Sequence, residues 1–199
     1  MSNHYYSQKP EAAHQRQVHE AMLRGEKLRF TTDAGVFSKA GVDYGSRVLI
    51  DALEIEQNAK VLDVGCGYGP IGLSAAKLAP HGHVTMIDIN ERAVELAKEN
   101  AKLNGIVNVT IVQSDLFASV KDERYDVIVT NPPIRAGKAT VHQIFEEGAR
   151  LLNAGGSMWV VIQKKQGAPS AKEKLEQLFA EVEEVTKDKG YRIFRGIKN

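Results

Sequence analysis

The chain has 199 residues, with 26 Lys and Arg against 25 Asp and Glu, a formal net charge of +1, 43% hydrophobic residues and one cysteine. That length suits one domain, or a domain with an extension, and folding at this size buries roughly 70% of the extended-chain surface. The lone Cys66 excludes an internal disulfide and a cysteine-based zinc site, no window approaches the roughly 20 apolar residues of a membrane span, and the near-neutral charge leaves nucleic-acid binding to local placement.

Residues 1–10 are polar and aromatic without an apolar h-region. No signal peptide is expected, and a cytoplasmic location follows. The six histidines show no metal-ligand spacing, so no metal is expected. From Glu11 the pattern predicts a helix to about residue 24, stopped by Gly25. Residues 28–45 carry the turn signals Asp33-Ala34-Gly35 and Lys39-Ala40-Gly41 around Val36-Phe37, and read as an irregular or hairpin segment. A helix is expected at 46–53.

From Lys60 the pattern changes. Strands are predicted at 61–64, 83–87, 109–112, 125–130 and 158–162. Helices are predicted at 71–78, 91–104 and 141–152. Asn90 is the expected N-cap of the second of these, and Gly105 its stop. Asn153-Ala154-Gly155-Gly156 is expected to close the third. Ser170-Ala171-Lys172-Glu173 reads as a capping box that opens a further helix. Two short runs around Asp188-Lys189-Gly190 read as a terminal hairpin. Strands alternating with helices predict a doubly wound, mostly parallel seven-stranded α/β sheet, with the hairpin adding antiparallel strands at one side.

Asp63-Val64-Gly65-Cys66-Gly67-Tyr68-Gly69 lies between a strand and a helix. Its glycines permit a tight turn and close approach of a ligand. Asp88 closes the next strand, where a carboxylate can accept from ribose hydroxyls. Asp63 would repel a pyrophosphate at the turn but favours an ammonium. Asp115, after the third strand, suits an exocyclic amine of adenine. An amine, a ribose and an adenine without phosphate describe S-adenosylmethionine.

In this order, DVGCGYG, IDIN at 87–90, SDLF at 114–117 and NPPI at 131–134 resemble the class I S-adenosylmethionine-dependent methyltransferases, over roughly residues 30–199. Gly35-Val36-Phe37-Ser38 and Asp43-Tyr44-Gly45-Ser46 narrow the resemblance to the catalytic half of small-subunit ribosomal-RNA guanine-N2 methyltransferases of the RsmC type. The resemblance implies a Rossmann-like domain at 46–199, with 1–45 as an extension covering cofactor and substrate. It implies S-adenosylmethionine held by Asp63, Gly65, Cys66, Gly67, Gly69, Asp88, Ile89, Asp115, Leu116 and Asn131.

An exocyclic amine is a poor nucleophile because its lone pair is delocalised into the ring. Accepting hydrogen bonds from its N–H groups localises that pair. Asn131 offers a side-chain carbonyl and Pro132 a backbone one, with Pro133 stiffening the turn. These three are the expected catalytic residues. Related sites usually carry an aromatic after the prolines. Here Ile134 stands there, followed by Arg135, and Phe37 with Ser38 is expected to supply a substrate-facing surface. Arg135, Lys138, Lys164 and Lys165 follow adjacent strands and form a candidate phosphate-tracking rim. Arg24, Lys27, Arg29, Arg192, Arg195 and Lys198 are further candidates. RNA is therefore the expected partner, with no membrane. The competing readings are a protein-glutamine methyltransferase, whose amide nitrogen poses the same chemical problem, and a non-catalytic cofactor- or RNA-binding module.

Overall fold

Strands that are apolar on both faces can be buried only in the middle of a layered α/β molecule. The structure is a computed structural model and describes residues 7–199. In chain order the elements are β1 (Gln17–Leu23), β2 (Glu26–Thr32), α1 (Tyr44–Ala52), β3 (Lys60–Val64), α2 (Pro70–Leu78), β4 (His83–Asp88), α3 (Glu91–Leu103), β5 (Val109–Gln113), β6 (Tyr125–Thr130), α4 (Lys138–Leu151), β7 (Leu152–Gln163), α5 (Ala168–Leu178), β8 (Glu181–Asp188) and β9 (Tyr191–Ile197).

The main sheet has the seven strands expected, in the order β5-β4-β3-β6-β7-β9-β8. Strands β5 to β7 are parallel in this order, while β9 runs antiparallel to β7 and β8 antiparallel to β9. Alternate residues feed two cores. Val127 and Val129 join α1, α2 and α3 on one face, whereas Ile128 joins α4 and α5 on the other. The chain leaves β3 in one direction to form β4 and β5, then returns to its other side as β6. This reversal opens a crevice at the carboxyl ends of these strands. Among the described residues, no helix is long and apolar enough to cross a membrane.

Three local expectations are corrected. The helix expected at 11–24 does not form: residues 17–23 are β1, paired with β2 in a separate two-stranded sheet. The period is two, not 3.6, with Ala21 and Leu23 buried and Val18 and Met22 exposed. Arg24 and Gly25 both have positive φ, 52° and 81°, the requirement of a two-residue type I′ hairpin turn, so Gly25 serves a hairpin rather than a helix stop. Residues 1–6 of the expected extension lie outside the described residues.

The predicted stop at 153–156 is also replaced, because β7 starts at Leu152, directly after α4. A register shift against β6 between Tyr125 and Val127 absorbs the extra length. Finally, α5 starts at Ala168, with Gly167 preceding it and proline in its first turn. Ser170 is therefore already helical, and its hydroxyl meets His142 Nε2 at 3.3 Å instead of capping.

The β1–β2 hairpin is fastened to α3 by side-chain amides one turn apart. Asn100 Oδ1 accepts from Thr31 N at 2.7 Å, and its Nδ2 donates to Thr31 O at 3.0 Å. Asn104 does the same for Arg29, at 2.9 and 2.8 Å. An edge that would otherwise expose unpaired backbone is thus satisfied from the neighbouring helix.

Candidate active site

The crevice holds a cavity of about 270 Å³. The loop after β3 forms its floor. Gly67 has φ 56°, and in this conformation its N–H donates to Asp88 Oδ2 at 2.8 Å. Asp88 Oδ1 accepts from Asn90 N at 2.9 Å, and Asn90 in turn caps α3 by accepting from Ala93 N. One carboxylate therefore ties the glycine loop to the start of α3 while still lining the cavity. Burial pushes the Asp88 carboxyl up to about 6, with the N–H groups of Asn90, Gly67 and Ile89 pulling the other way. Burial, then the charges of Asp88 and Asp63, push the Cys66 thiol well above its usual range. A thiol held this way is not an activated nucleophile.

Of the expected cofactor residues, Gly65, Cys66, Gly67, Asp88, Ile89, Asp115, Leu116 and Asn131 are on the cavity wall. Gly69 is not. Its φ of 116° opens α2. Asp63 is fully buried and also off the wall, immediately before Val64, which is on it. Neither Asp63 oxygen has a hydrogen-bond partner among the described residues. Burial raises its carboxyl to about 8, the nearby N–H of Gly72 opposes this in part, and the charge of Asp88 adds to it. A Cβ at Gly72 would stand 2.8 Å from Asp63 Oδ2, so only glycine lets α2 pass this close to β3.

Pro132, Pro133, Phe37 and Ser38 complete the part of the wall legible from sequence. Ser38 and Leu116, both on the wall, adopt positive φ of 56° and 50°. Such conformations cost about 1 kcal/mol or more in non-glycine residues, and they gather at ligand sites. The loop bearing Phe37 is held down by Arg92 Nη1 donating to Ala34 O at 2.6 Å, Asn90 Nδ2 to Gly35 O at 2.8 Å and Tyr68 Oη to Ser38 O at 3.2 Å.

Asp43 and Ser46, at the start of α1, also line the cavity, and sequence reasoning gave neither a role. The available signal was Asp43 as a helix N-cap three residues before Ser46. In the structure α1 starts at Tyr44 rather than at 46, and Asp43 is its N-cap, Oδ2 accepting from Ser46 N at 3.1 Å. Asn131 Nδ2 donates to the same Asp43 oxygen at 3.2 Å and to Ser46 Oγ at 3.1 Å.

Ile134 is not on the wall. It begins a short 3₁₀ turn and packs against the core on the α4 side. Arg135, Lys138, Lys164 and Lys165 are exposed, and none forms an ion pair among the described residues. The other basic candidates are engaged elsewhere. Lys27 and Arg29 pair with Glu20, Arg192 with Glu184, and Arg195 with Glu54 and Glu183. Arg24 donates to the carbonyls of Ile50, Asp51 and Leu53 at the end of α1, and Lys198 to Leu152 O. Among the described residues, no group of three or more His, Cys, Asp or Glu is placed to hold a metal.

The profile of the methyltransferase small domain family matches residues 27–195. The uncharacterised protein YbxB of Bacillus subtilis is 57% identical over 200 residues, spanning 100% of both chains. Ribosomal RNA small subunit methyltransferase C of Escherichia coli is 32% identical over 174 residues, covering 85% of this chain and 49% of that one. The chain thus spans about half the length of the curated ribosomal RNA methyltransferases it matches. Among solved structures, the T. thermophilus 16S rRNA N2 methyltransferase RsmC, in complex with AdoMet and guanosine, superposes with a TM-score of 0.83 at 25% identity, over 96% of this chain and 52% of that one.

Proposed function

Since this chain belongs to the methyltransferase small domain family, we propose that it methylates an exocyclic amino nitrogen of a base in RNA, with guanine N2 of small-subunit ribosomal RNA as the acceptor. Its cofactor is S-adenosylmethionine, which supplies an electrophilic methyl group when bound. The residues present fit that cofactor. Asp88 would offer carboxylate lone pairs to vicinal hydroxyls, the backbone of Gly65 to Gly67 would permit close approach, and Ile89 and Leu116 would give a flat ring apolar contact. Asp63, fully buried and off the wall, adds nothing to that fit.

The observation that carries the acceptor chemistry is the fixed amide of Asn131. Its N–H groups are occupied by Asp43 and Ser46, so its carbonyl oxygen remains to accept from an amine in the cavity. Pro132, on the same wall, would supply its backbone carbonyl as the second acceptor. Accepting both amine N–H groups turns the nitrogen lone pair out of conjugation and stabilises the positive charge that develops during attack. Asn131 is not a base at neutral pH, so the proton leaves after transfer, when the nitrogen is cationic and acidic. The candidate rim of Arg135, Lys138, Lys164 and Lys165, without an ion pair among the described residues, supports a polyanionic acceptor.

The test is to incubate the protein with methyl-tritiated cofactor and small ribosomal subunits from cells that lack it. Label in RNA, recovered as N2-methylguanine after digestion, is the expected result. Label in protein instead would establish the glutamine-amide reading, and label in neither would remove both.

A further inference from the structure

We infer that Asp43 is a positioning residue that sets the orientation of the Asn131 amide, coupling the loop over the cavity to the acceptor site. This rests on the amine-methylating reading above. A carboxamide is nearly symmetric in shape, so something must decide which end faces the acceptor. A carboxylate only accepts hydrogen bonds. With Asp43 Oδ2 at 3.2 Å, the Asn131 NH₂ group must face it, and Ser46 Oγ at 3.1 Å takes the second N–H. The opposite rotamer would set the Asn131 carbonyl against a carboxylate. The oxygen is therefore left for the acceptor before any acceptor arrives.

The same Asp43 oxygen caps α1. That helix is anchored by a largely apolar face, with Val48, Leu49 and Ile50 buried. Asp43 is thus held firmly from its own side. It also ends the loop that carries Phe37 and Ser38, which is fastened by Asn90, Arg92 and Tyr68 to the cofactor side of the cavity. Cofactor wall, covering loop and acceptor amide are joined through this one carboxylate.

Asp43→Asn separates positioning from capping, because asparagine is an equally good N-cap but no longer dictates which end of the Asn131 amide faces it. We expect kcat to fall roughly tenfold, with affinity for S-adenosylhomocysteine unchanged within about twofold. Asn131→Asp places two carboxylates face to face. Its activity should fall further and vary with pH, as one proton is shared between them. In D43N/N131D the amide at position 43 donates to the carboxylate at 131, and activity should recover at least several-fold over N131D and lose that pH dependence. A double variant no better than N131D overturns the inference, as does Asp43→Asn with wild-type kcat. Ser46→Ala, which keeps the cap, is the control should Asp43→Asn not fold, and a several-fold loss in kcat is expected of it. Unchanged kcat there overturns the second half of the anchor. A further readout needs no acceptor. The side-chain amide protons of Asn131 in ¹⁵N–¹H spectra, identified by their absence in N131D, should exchange slowly in the wild type and faster in D43N. Equal exchange overturns the inference even if the RNA reading fails, and a protected amide in a protein that labels no RNA would instead fault the RNA reading alone.

Discussion

Asn131 sits at the end of β6, half-buried on the cavity wall, with its amide nitrogen already engaged. Truncation opens no core cavity, so Asn131→Ala should keep the fold and the cofactor affinity while lowering kcat by ~10²–10³, the usual loss when a preorganised acceptor is removed. Single-turnover methylation beside a cofactor titration checks this, and activity within a few-fold of wild type would leave the Asn-Pro-Pro turn without a chemical role. Asp63 is a polar side chain of another kind, buried with no partner for its charge. Its carboxyl, raised to about 8 by burial, holds a proton in the folded protein at pH values where the unfolded chain has lost it. Asp88, raised to about 6, behaves likewise. At these two groups the native state binds more protons between about pH 4 and pH 8, so their contribution to cofactor-free stability falls as pH rises through that window. Asp63→Asn removes the larger part of this. We expect its apo melting temperature to exceed wild type by several degrees near pH 8 and to differ little near pH 4. A wild-type melting temperature flat across that range would contradict the buried, unpartnered state of Asp63.

At the scale of elements, the β1–β2 hairpin shows how a short ribbon is stabilised. A two-stranded ribbon alone is marginal in water, and this one finds its partner in α3. Asn100 is fully buried and makes hydrogen bonds to Thr31 N, Thr31 O and Tyr68 O, the last at 2.8 Å. It thus joins hairpin, helix and glycine loop. Asn100→Ala strands one N–H and two carbonyls in the interior, and should cost about 3 kcal/mol in chemical denaturation. A loss below about 1 kcal/mol would mean that water replaces the amide. Strand β1 carries a helical signal because its charges and the alanines before it mask a period of two over only seven residues. Asn100 gave no sequence signal at all, since an asparagine in a charged helix looks like any solvated surface residue.

For the whole molecule, Arg135 lies between β6 and α4, Lys138 opens α4, and Lys164 and Lys165 follow β7, with β6 and β7 neighbours in the sheet. Replacing all four by Ala should weaken RNA binding and flatten its log–log salt slope by ~0.7–0.9 for each phosphate no longer neutralised, with cofactor affinity unchanged. A salt slope equal to wild type would place the RNA elsewhere. The parallel sheet, its terminal antiparallel strands, the helix starting after Asn90 and half of the cavity wall were readable along the chain. The elements rest on local signals, namely apolar runs, a capping side chain, and glycines between a strand and a helix, and the wall residues rest on the motifs that carry the family resemblance. Contacts between distant segments were not readable. Asp43 and Asn131 are far apart in sequence, and neither residue type announces the other. Asp63 ends a run that reads as facing the ligand, but packing of α2 over β3 at Gly72 seals it in. Ile134 follows the prolines as an aromatic would, yet the 3₁₀ turn directs it to the core. Six of the basic candidates became ion pairs or backbone caps, leaving four exposed and without an ion pair among the described residues. Periodicity and caps act within a few residues, so sequence specifies elements and their order. Which polar group finds which partner depends on side chains meeting across the packed layers, and that is decided only when the layers close.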